Sequence, residues 1–243
     1  MRGNMETKKF FLSLFAVTAF LHGVSAVGSV SVSVMEGDSV TLKTGVKTNQ
    51  QEKIKWYFND TLIAHINGSL SDICTDKGNE RFKHRLKLDH QTGSLTIMNI
   101  RNTHSGVYKA VIIKKSENET IFYVTVFGVP APVSVKEGES VTIGPGVIND
   151  SNDVMIWSFS GRPIAQITGN QSKIFTEEQG DDGVRSVRYR LNVTQTGSLT
   201  IKNTRSTDSG LYQLQISSSR FNITRSFCVC VTDGEKSRDL SGS

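Results

Sequence analysis

The feature that most restricts the fold of this 243-residue chain is an internal duplication. The segment Glu-Gly-Asp-Ser-Val-Thr at 36–41 returns as Glu-Gly-Glu-Ser-Val-Thr at 137–142, a shift of 101 positions. A second segment, Thr-Gly-Ser-Leu-Thr-Ile at 92–97, recurs unchanged at 196–201, a shift of 104. Because the shift barely changes along the chain, few insertions separate the copies, and each copy has the length of one domain. The sequence therefore predicts two successive copies of one domain.

Both copies carry the pattern of β-strands that bury one face. Apolar and polar residues alternate along 30–34, 86–88 and 95–97. This is the period of a strand with one side in a core and the other in water. Short turn sequences separate such runs, and no convincing helical periodicity follows the first residues of the chain. We therefore expect an all-β chain made of two packed β-sandwiches.

The N-terminus indicates the compartment. Arg2, Lys8 and Lys9 precede an apolar run from Phe10 to Leu21, and small residues follow at 24–26. This layout is typical of a cleaved secretory signal peptide. An N-terminal membrane anchor is the weaker interpretation, because the run is shorter than the ~20 residues that a spanning helix needs. We expect an extracellular protein, secreted or on the external side of the plasma membrane, with any membrane anchor outside this sequence.

Five segments are expected along the chain. They are a signal peptide at 1–26, a first domain at 27–127, a proline-rich linker at 128–132, a second domain at 133–232 and a polar tail at 233–243. The linker contains Pro130 and Pro132, and proline fixes φ and resists helix formation. An extended, fairly stiff linker follows, and with it two domains arranged end to end as a rod.

Charge and motifs exclude several functions. The 28 Lys/Arg and 23 Asp/Glu residues are interspersed, so the net charge of +5 is not concentrated in a basic run, and nucleic-acid binding has little support. The histidines show no metal-ligand spacing with cysteines or carboxylates. Neither a nucleophile elbow nor a phosphate-binding glycine loop occurs. We expect no enzyme activity, no cofactor and no metal.

Two landmarks in each copy resemble those of the immunoglobulin variable-type domain. Trp56 and Trp157 take the place of its buried tryptophan. Tyr108 and Tyr212 end the motifs Ser-Gly-Val-Tyr and Asp-Ser-Gly-Leu-Tyr, which match its tyrosine corner. The resemblance covers nearly all of the chain after the signal peptide, and it implies two tandem immunoglobulin-like V-type β-sandwich domains with these four aromatic residues in their cores.

The cysteines depart from that family's pattern. A disulfide usually joins the two sheets of such domains, but the corresponding positions hold Thr44 and Ala110 in the first copy and Pro145 and Leu214 in the second. Losing such a crosslink costs roughly 2–4 kcal/mol, so core packing must carry more of the stability. The three cysteines lie elsewhere, either as thiols or as a link between two chains: Cys74, Cys228 and Cys230.

The resemblance also implies an ion pair that differs between the copies. Domains of this kind usually pair an aspartate before the tyrosine corner with an arginine near the start of strand D. The second copy has Asp208, with Arg185 or Arg188 as the expected partner. In the first copy His104 replaces the aspartate, which puts a pair with Arg81 in doubt.

Variable-type domains without the inter-sheet disulfide are similar to the leukocyte adhesion receptors of the SLAM and T-cell adhesion group. The stretches RLKLDHQTGSLTI at 85–97 and GVYKAVI at 106–112 resemble fish members with tandem copies. This resemblance implies cell adhesion or immune recognition, in which the front sheet of the first domain (strands G, F, C and C′) binds a cell-surface immunoglobulin-superfamily protein or a second copy of the chain. The alternative is a soluble secreted decoy, or a glycan- or heparin-binding immunoglobulin module.

The candidate binding residues follow from strand alternation on that sheet. If Trp56, Tyr108 and Ala110 point inward, their neighbours point outward. The expected protein-binding residues are Lys55, Tyr57, His65, Lys109, Val111 and Ile113. An ordinary solvated sheet face, with lysines that favour solubility, is the alternative.

Seven Asn-x-Ser/Thr sequons agree with secretion, since such sites accept N-linked glycans on the surface of secreted proteins. The expected glycosylation sites are Asn59, Asn67, Asn118, Asn149, Asn170, Asn192 and Asn222. Two of them, Asn59 and Asn118, are expected in turns that flank the candidate binding sheet.

Overall fold

The computed structural model describes residues 28–47, 53–74, 80–114, 117–129, 131–145, 153–175 and 187–233. The expected signal peptide, Asn149 and residues 234–243 of the polar tail lie outside these ranges. The first nine strands are β1 Gly28–Met35, β2 Ser39–Leu42, β3 Lys53–Phe58, β4 Thr61–Asn67, β5 Leu70–Ile73, β6 Leu86–Leu88, β7 Leu95–Ile97, β8 Gly106–Ile113 and β9 Glu117–Phe127. We call the sandwich that they form domain 1.

The second set of strands repeats the first and forms domain 2. These strands are β10 Val133–Lys136, β11 Val141–Ile143, β12 Val154–Phe159, β13 Arg162–Thr168, β14 Gln171–Ile174, β15 Leu191–Val193, β16 Leu199–Ile201, β17 Gly210–Ser217 and β18 Phe221–Thr232. Short 3-10 helices are Glu80–Phe82, Asn102–His104 and Ser206–Asp208.

Each domain consists of two facing sheets. In domain 1 the front sheet has the order β1-β9-β8-β3-β4-β5, and the back sheet contains β2, β7 and β6. In domain 2 the front sheet has the order β14-β13-β12-β17-β18, with β10 paired to β18, and the back sheet has the order β11-β16-β15. The first strand of each domain runs parallel to the last. The expectation of an all-β chain with two tandem sandwiches is confirmed.

A tryptophan fills the centre of each core. Trp56 is fully buried, its indole Nε1 donates a hydrogen bond to the Gly93 carbonyl at 2.8 Å, and its ring centroid lies 5.8 Å from that of Phe122. Trp157 is equally buried and donates to the Gly197 carbonyl at 2.9 Å. Each indole therefore ties the inner face of the front sheet to the turn before β7 or β16, on the opposite sheet. This contact spans the gap that an inter-sheet disulfide usually bridges.

The tyrosine of each corner is buried and bonded to the backbone. The Tyr108 hydroxyl donates to the His104 carbonyl at 2.8 Å, and the Tyr212 hydroxyl donates to the Asp208 carbonyl at 3.0 Å. Burial raises the pKa of both phenols far above the usual value. Both hydroxyls therefore stay protonated and act as donors that fix the turn before β8 and β17.

Asp208 pairs with an arginine other than the two expected. Both guanidinium nitrogens of Arg190 donate to the carboxylate at 2.5 Å, and the carboxylate is fully buried. Arg185 lies outside the described residues, and the expectation of Arg188 was wrong, because Arg190 immediately precedes β15 and faces the turn that carries Asp208. Arg188 instead donates to the Pro163 carbonyl at 3.0 Å. The two-pronged geometry is the strong form of an arginine–carboxylate contact.

In domain 1 His104 replaces this ion pair with two neutral hydrogen bonds. Its Nδ1 accepts the Arg101 backbone N–H at 2.9 Å, so Nε2 carries the proton and donates to the Arg81 carbonyl at 2.7 Å. The ring stacks on Phe82 with centroids 4.9 Å apart. The Arg81 guanidinium lies 5.4 Å from the centre of the Phe58 ring. The doubt about an Arg81 salt bridge is justified, because the side chain that it would pair with is a neutral imidazole.

The two domains are not arranged as an end-to-end rod. The first four residues of β18 pair in antiparallel fashion with β2, so that Phe221 lies opposite Leu42 and Thr224 opposite Ser39. The front sheet of domain 2 therefore continues into the back sheet of domain 1. Phe221 and Ile223 face the same side as the core residues of β2, and the buried apolar side chains of both domains form one contiguous cluster. The domains overlap side by side along four residue pairs.

Pro132 explains why this edge of β18 is available. In domain 1 the first strand, β1, pairs with β9 along eight residues from Gly28 to Met35. In domain 2 the corresponding strand, β10, begins only at Val133 and pairs with β18 along four residues. Pro132 lacks the N–H that a ladder needs, so the pairing cannot extend toward the linker. The residues of β18 from Phe221 to Thr224 are therefore left without a partner strand from domain 2, and β2 of domain 1 pairs with them.

A buried ion pair joins the domains at the end of the shared ladder. Arg225 donates from Nε and Nη2 to the two carboxylate oxygens of Asp38, at 3.0 and 2.6 Å, and both side chains are 1% exposed. Arg220 of domain 2 also donates to the Thr120 hydroxyl of domain 1 at 3.0 Å. The Lys43 ammonium donates to a carbonyl of domain 2 at 2.7 Å. Charged and backbone groups thus fix the register between the domains.

Candidate functional site

The six expected binding residues lie on three neighbouring strands of the domain 1 front sheet. We call the outward side of this sheet the front face. On β3 the inward residues are Ile54, Trp56 and Phe58, so the residues between them face outward. The structure places the candidates on this face as follows: Lys55 and Tyr57 on β3, His65 on β4, and Lys109, Val111 and Ile113 on β8. Five are partly exposed, whereas Val111 is only 4% exposed and offers little surface to a partner.

In one row across the front face, two carboxylates flank a central lysine. Lys55 lies between His65 and Val111 in the register. Beyond them, Asp72 lies opposite His65, and Glu119 lies opposite Val111. Cross-strand neighbours are close enough for their charges to interact. The face therefore presents a lysine in the middle and a carboxylate at each side.

Tyrosine and lysine meet in the next row of the front face. Tyr57 lies opposite Lys109, whose ammonium is 5.3 Å from the centre of the phenol ring. Such cation–π contacts contribute about 0.5–1 kcal/mol at exposed sites. Ile121 lies opposite Lys109 on β9. The contact restrains the Tyr57 ring on the front face.

Two exposed apolar residues extend this row, and the expected set does not contain them. Val107 and Tyr123 lie opposite each other on β8 and β9 and are 38% and 46% exposed. Together with Tyr57 and Ile121 they form what we call the aromatic patch. The sequence carries a signal for Tyr123, because β9 buries Phe122 and the residue after Tyr123, so alternation turns its ring outward.

The front sheet of domain 2 differs from this face at the candidate positions. The duplication gives each candidate position a counterpart on the domain 2 front sheet. The counterparts of Lys55, Tyr57, His65, Lys109 and Val111 are Ile156, Ser158, Gln166, Gln213 and Gln215. None of them is charged or aromatic. At the position of Asp72, domain 2 has Lys173, whose ammonium lies 5.6 Å from the centre of the Phe175 ring. The front face of domain 1 is the one that combines two lysines with exposed tyrosine rings, which favour protein recognition.

The docking of domain 2 leaves the front face uncovered. The shared ladder is formed by β2, which belongs to the opposite sheet of the domain 1 sandwich. The contact on β9 involves Thr120, whose side chain is 7% exposed and faces inward. The front face and the docked domain therefore lie on opposite sides of domain 1.

Three sequon asparagines lie at the ends of the front sheet. Asn59 is in the turn after β3, has a φ of +42° and accepts the Val107 N–H at 2.9 Å through its side-chain oxygen. Asn67 ends β4. Asn118 lies within β9, opposite Ile112, rather than in the expected turn, because the ladder of β8 and β9 extends as far as Glu117. All three side chains are exposed, as are those of Asn170 and Asn192, whereas Asn222 is half-buried.

Groups for metal binding or membrane insertion are not found in the described ranges. No set of three or more His, Cys, Asp or Glu side chains is placed to hold a metal ion there. No helix within the same ranges is long and apolar enough to cross a membrane. All three cysteines are described as thiols; Cys228 and Cys230 are exposed, and the Cys74 sulfur lies 3.7 Å from Nδ1 of His65.

Comparison with known proteins identifies the fold family. The model of the immunoglobulin V-set domain matches twice, at residues 27–127 and 128–231. A search of curated protein sequences finds no match. Among solved structures, the first Ig-like domain of human CD48 is 27% identical with a TM-score of 0.37, covering 46% of this chain and 93% of that one. The CD2-binding domain of CD58 is 13% identical with a TM-score of 0.35, covering 83% and 97%. Murine CEACAM1b is 18% identical with a TM-score of 0.34, covering 84% and 99%.

The two V-set matches together span most of the chain, and the paired tryptophans and tyrosine corners explain them residue by residue. V-set domains are non-enzymatic recognition modules that are typically extracellular or on the cell surface, with a general role in adhesion and recognition. The expected resemblance to the immunoglobulin superfamily is confirmed at this level. The chain belongs to the immunoglobulin V-set family and carries two such domains in tandem.

Proposed function

We propose that this chain is a cell-adhesion or immune-recognition protein that binds another cell-surface protein through the front face of domain 1. The observation that carries the proposal is the difference between the two domains. Lysines and exposed tyrosine rings occupy the domain 1 face, whereas the domain 2 counterparts of Lys55, Tyr57 and Lys109 are neutral and not aromatic. A duplicated scaffold whose copies differ in this way supports a specialised surface on domain 1.

Energy and specificity come from different parts of the face. Tyr57 and Tyr123 are the anchors, because aromatic rings supply most of the binding energy at interfaces. Lys55 and Lys109 steer encounter and select partners with complementary acidic groups. The face is small and mixed in charge, which favours fast association and fast release. Glycans proposed at Asn59, Asn67 and Asn118 would border the face and limit its size.

The proposed partner is an extracellular immunoglobulin-superfamily protein on a facing cell, with a second copy of this chain as one candidate. The front face contains both signs of charge, so a copy offset along the sheet can set the Lys55 and Lys109 of one molecule against Asp72 and Glu119 of the other. Heparin or another polyanion is a poorer ligand for the same reason, because the two carboxylates flank the lysines and repel anionic sugars.

The test compares one charge reversal with its counterpart in the other domain. The full secreted chain is fused to a multimerising tag and offered to beads coated with the wild-type chain and to an array of extracellular immunoglobulin-superfamily proteins. For any partner found, Lys109→Glu is expected to weaken binding at least tenfold. Gln213→Glu, at the equivalent position of domain 2, is expected to leave it unchanged.

Two further measurements separate the alternatives. Tyr123→Ala is expected to speed dissociation, whereas Lys109→Glu slows association and reduces its dependence on salt. A heparin-binding module would instead be retained on heparin and lose its ligand steeply with salt. Binding that survives Lys109→Glu but fails with Gln213→Glu would move the site to domain 2 and overturn the proposal.

A further inference from the structure

A polar groove crosses the junction of the two domains on the side away from the front face. Its floor is a row of opposed residues on four strands, Lys87, Thr96, Thr41 and Asn222, which therefore point to the same side of the shared sheet. The turn between β6 and β7 forms one wall, and the end of β2 forms another. The groove has a volume of about 760 Å³, within the range of ~300–1,000 Å³ for sites that hold small ligands.

The lining of the groove suits a sugar. Hydroxyl groups of Thr41, Thr92, Ser94 and Thr96 line it, and the Thr41 and Thr96 hydroxyls bond each other at 2.8 Å. A hydroxyl both donates and accepts hydrogen bonds, so it matches the mixed donors and acceptors of a sugar ring. Lys87 adds an ammonium donor. All five groups come from the back sheet of domain 1 or the turn attached to it.

Asn222 differs from every other sequon asparagine in the described ranges. Asn59, Asn67, Asn118, Asn170 and Asn192 are exposed, whereas Asn222 is half-buried and lines the groove. Its side-chain oxygen is buried and has no hydrogen-bond partner within the described structure. A buried carbonyl without a partner costs about 1–3 kcal/mol. The described residues thus leave this polar side chain of the groove floor incompletely satisfied.

We propose that the groove is the binding site for the innermost sugars of an N-linked glycan carried by Asn222. A lipid-diphosphate-linked oligosaccharide is the donor: a bond forms between Nδ2 of Asn222 and C1 of the first sugar, the bond from C1 to the diphosphate oxygen breaks, and Nδ2 gives up a proton. The acceptor belongs to domain 2, and most of the lining belongs to domain 1. The glycan therefore contacts both domains and holds the shared ladder closed.

This inference rests on the extracellular location proposed above, because N-linked glycans are added in the secretory pathway. Covalent attachment explains why a glycan would occupy the groove. A sugar joined to a residue of the groove floor stays beside the groove even when its own affinity for the groove is weak. A free sugar would lose translational freedom on binding and needs a much better fit.

The first test measures release of each glycan from the folded protein. The full chain is secreted from a eukaryotic cell line, and peptide mass spectrometry gives the occupancy of every sequon. Peptide N-glycosidase is then added under native conditions. Asn222 is expected to lose its glycan at least tenfold more slowly than Asn192, which is exposed on β15. After denaturation the two sites are expected to react at similar rates.

The second test measures the effect of the glycan on stability. Thr224→Val removes the Asn222 sequon and keeps a β-branched residue at that place, and Asn192→Gln removes the control sequon. In the glycosylated protein, Thr224→Val is expected to lower the unfolding midpoint by about 2–4 °C, the shift that a loss of roughly 1 kcal/mol gives in a chain of this size. Asn192→Gln is expected to lower it less. In protein made without glycans, the effect of Thr224→Val is expected to vanish.

The outcomes distinguish this proposal from the one on which it rests. Occupied sequons elsewhere with an empty Asn222, or equal native release at Asn222 and Asn192, overturn the groove proposal and leave the extracellular function standing. A chain with no occupied sequon at all overturns both. An equal effect of Thr224→Val with and without glycans shows a defect of the strand itself, and the groove proposal then fails.

Discussion

At the residue scale, His104 carries a consequence that its counterpart Asp208 does not. The imidazole is fully buried, and its pKa is lowered chiefly by loss of hydration and further by the positive charges of Arg85, Arg101 and Arg81. The bond to the Arg81 carbonyl works in the opposite direction but does not outweigh burial. The folded domain therefore holds this histidine neutral at pH values where the unfolded chain, with a pKa of 6.5, begins to protonate it.

The first prediction concerns pH. His104 binds a proton more readily in the unfolded state than in the folded state. Its contribution to the free energy of unfolding is therefore expected to be constant above pH 6.5. It should then fall as the pH drops below that value, by at most about 1.4 kcal/mol per pH unit from this residue. Urea unfolding between pH 5 and 8 measures it. His104→Asp should remove most of this slope, because Arg85 can pair with the carboxylate as Arg190 does with Asp208.

A persisting slope in His104→Asp would contradict the assignment of the pH dependence to His104. His65→Gln is the matched control, since this side chain lies on the front face rather than in the core. It should leave the slope of the wild-type protein intact.

Residues whose contacts are local could be predicted from the sequence, and residues whose partners depend on register could not. The Tyr108 hydroxyl reaches a carbonyl four residues away, so the motif itself contains the bond. The partner of Asp208 is 18 positions away, and three arginines lie near the start of β15. Comparison of the two copies gives the missing signal, because Arg190 corresponds to Arg85, the arginine that directly precedes β6 in domain 1.

At the scale of elements, β18 shows what alternation alone can and cannot reveal. The strand buries every second residue from Phe221 to Val231, and Arg225 falls on a buried position between Ile223 and Phe227. A buried charge needs a partner of opposite charge, so the sequence indicates that an acidic residue elsewhere in the chain pairs with Arg225. It does not say which one, because Asp38 is 187 positions away and belongs to the other domain.

The second prediction is a double-mutant cycle on this buried pair. Asp38→Asn leaves the Arg225 guanidinium buried without its countercharge, and Arg225→Thr installs the residue found at the equivalent position of domain 1, Thr120. Each single change is expected to lower the free energy of unfolding by about 3 kcal/mol or more. The double variant is expected to lower the free energy of unfolding by clearly less than the sum of the two single changes, because it leaves no unpaired buried charge.

Glu139 provides the control for this cycle. It occupies the position of Asp38 in the second copy, with a backbone N–H bonded to its carboxylate in the same way, but it is exposed and has no interdomain role. Glu139→Gln is expected to change the free energy of unfolding by less than about 0.5 kcal/mol. Additive effects of the Asp38 and Arg225 changes would contradict a direct contact between the two side chains.

At the scale of the whole molecule, the docking of domain 2 joins the two V-set domains through one continuous sheet. The shared ladder joins β2 to β18, the ion pair of Asp38 and Arg225 lies at its end, and the apolar cores of both domains are contiguous. The linker suggested a rod because prolines stiffen a chain locally. In the structure the linker shortens β10 and so leaves part of the edge of β18 unpaired. This effect depends on strand pairing in the sheet and cannot be read from the linker sequence.

The third prediction is the shape and cooperativity that follow from this arrangement. Four overlapping residue pairs at ~3.3 Å per residue shorten the molecule by about 13 Å relative to domains placed end to end. Small-angle scattering should give the shorter maximum dimension, and urea unfolding should show one transition when followed by both tryptophans. The Asp38→Asn, Arg225→Thr double variant keeps both sandwiches but weakens the junction. It should lengthen the particle and separate the unfolding of Trp56 from that of Trp157, so a wild-type chain that is already long and unfolds in two steps would contradict the shared sheet.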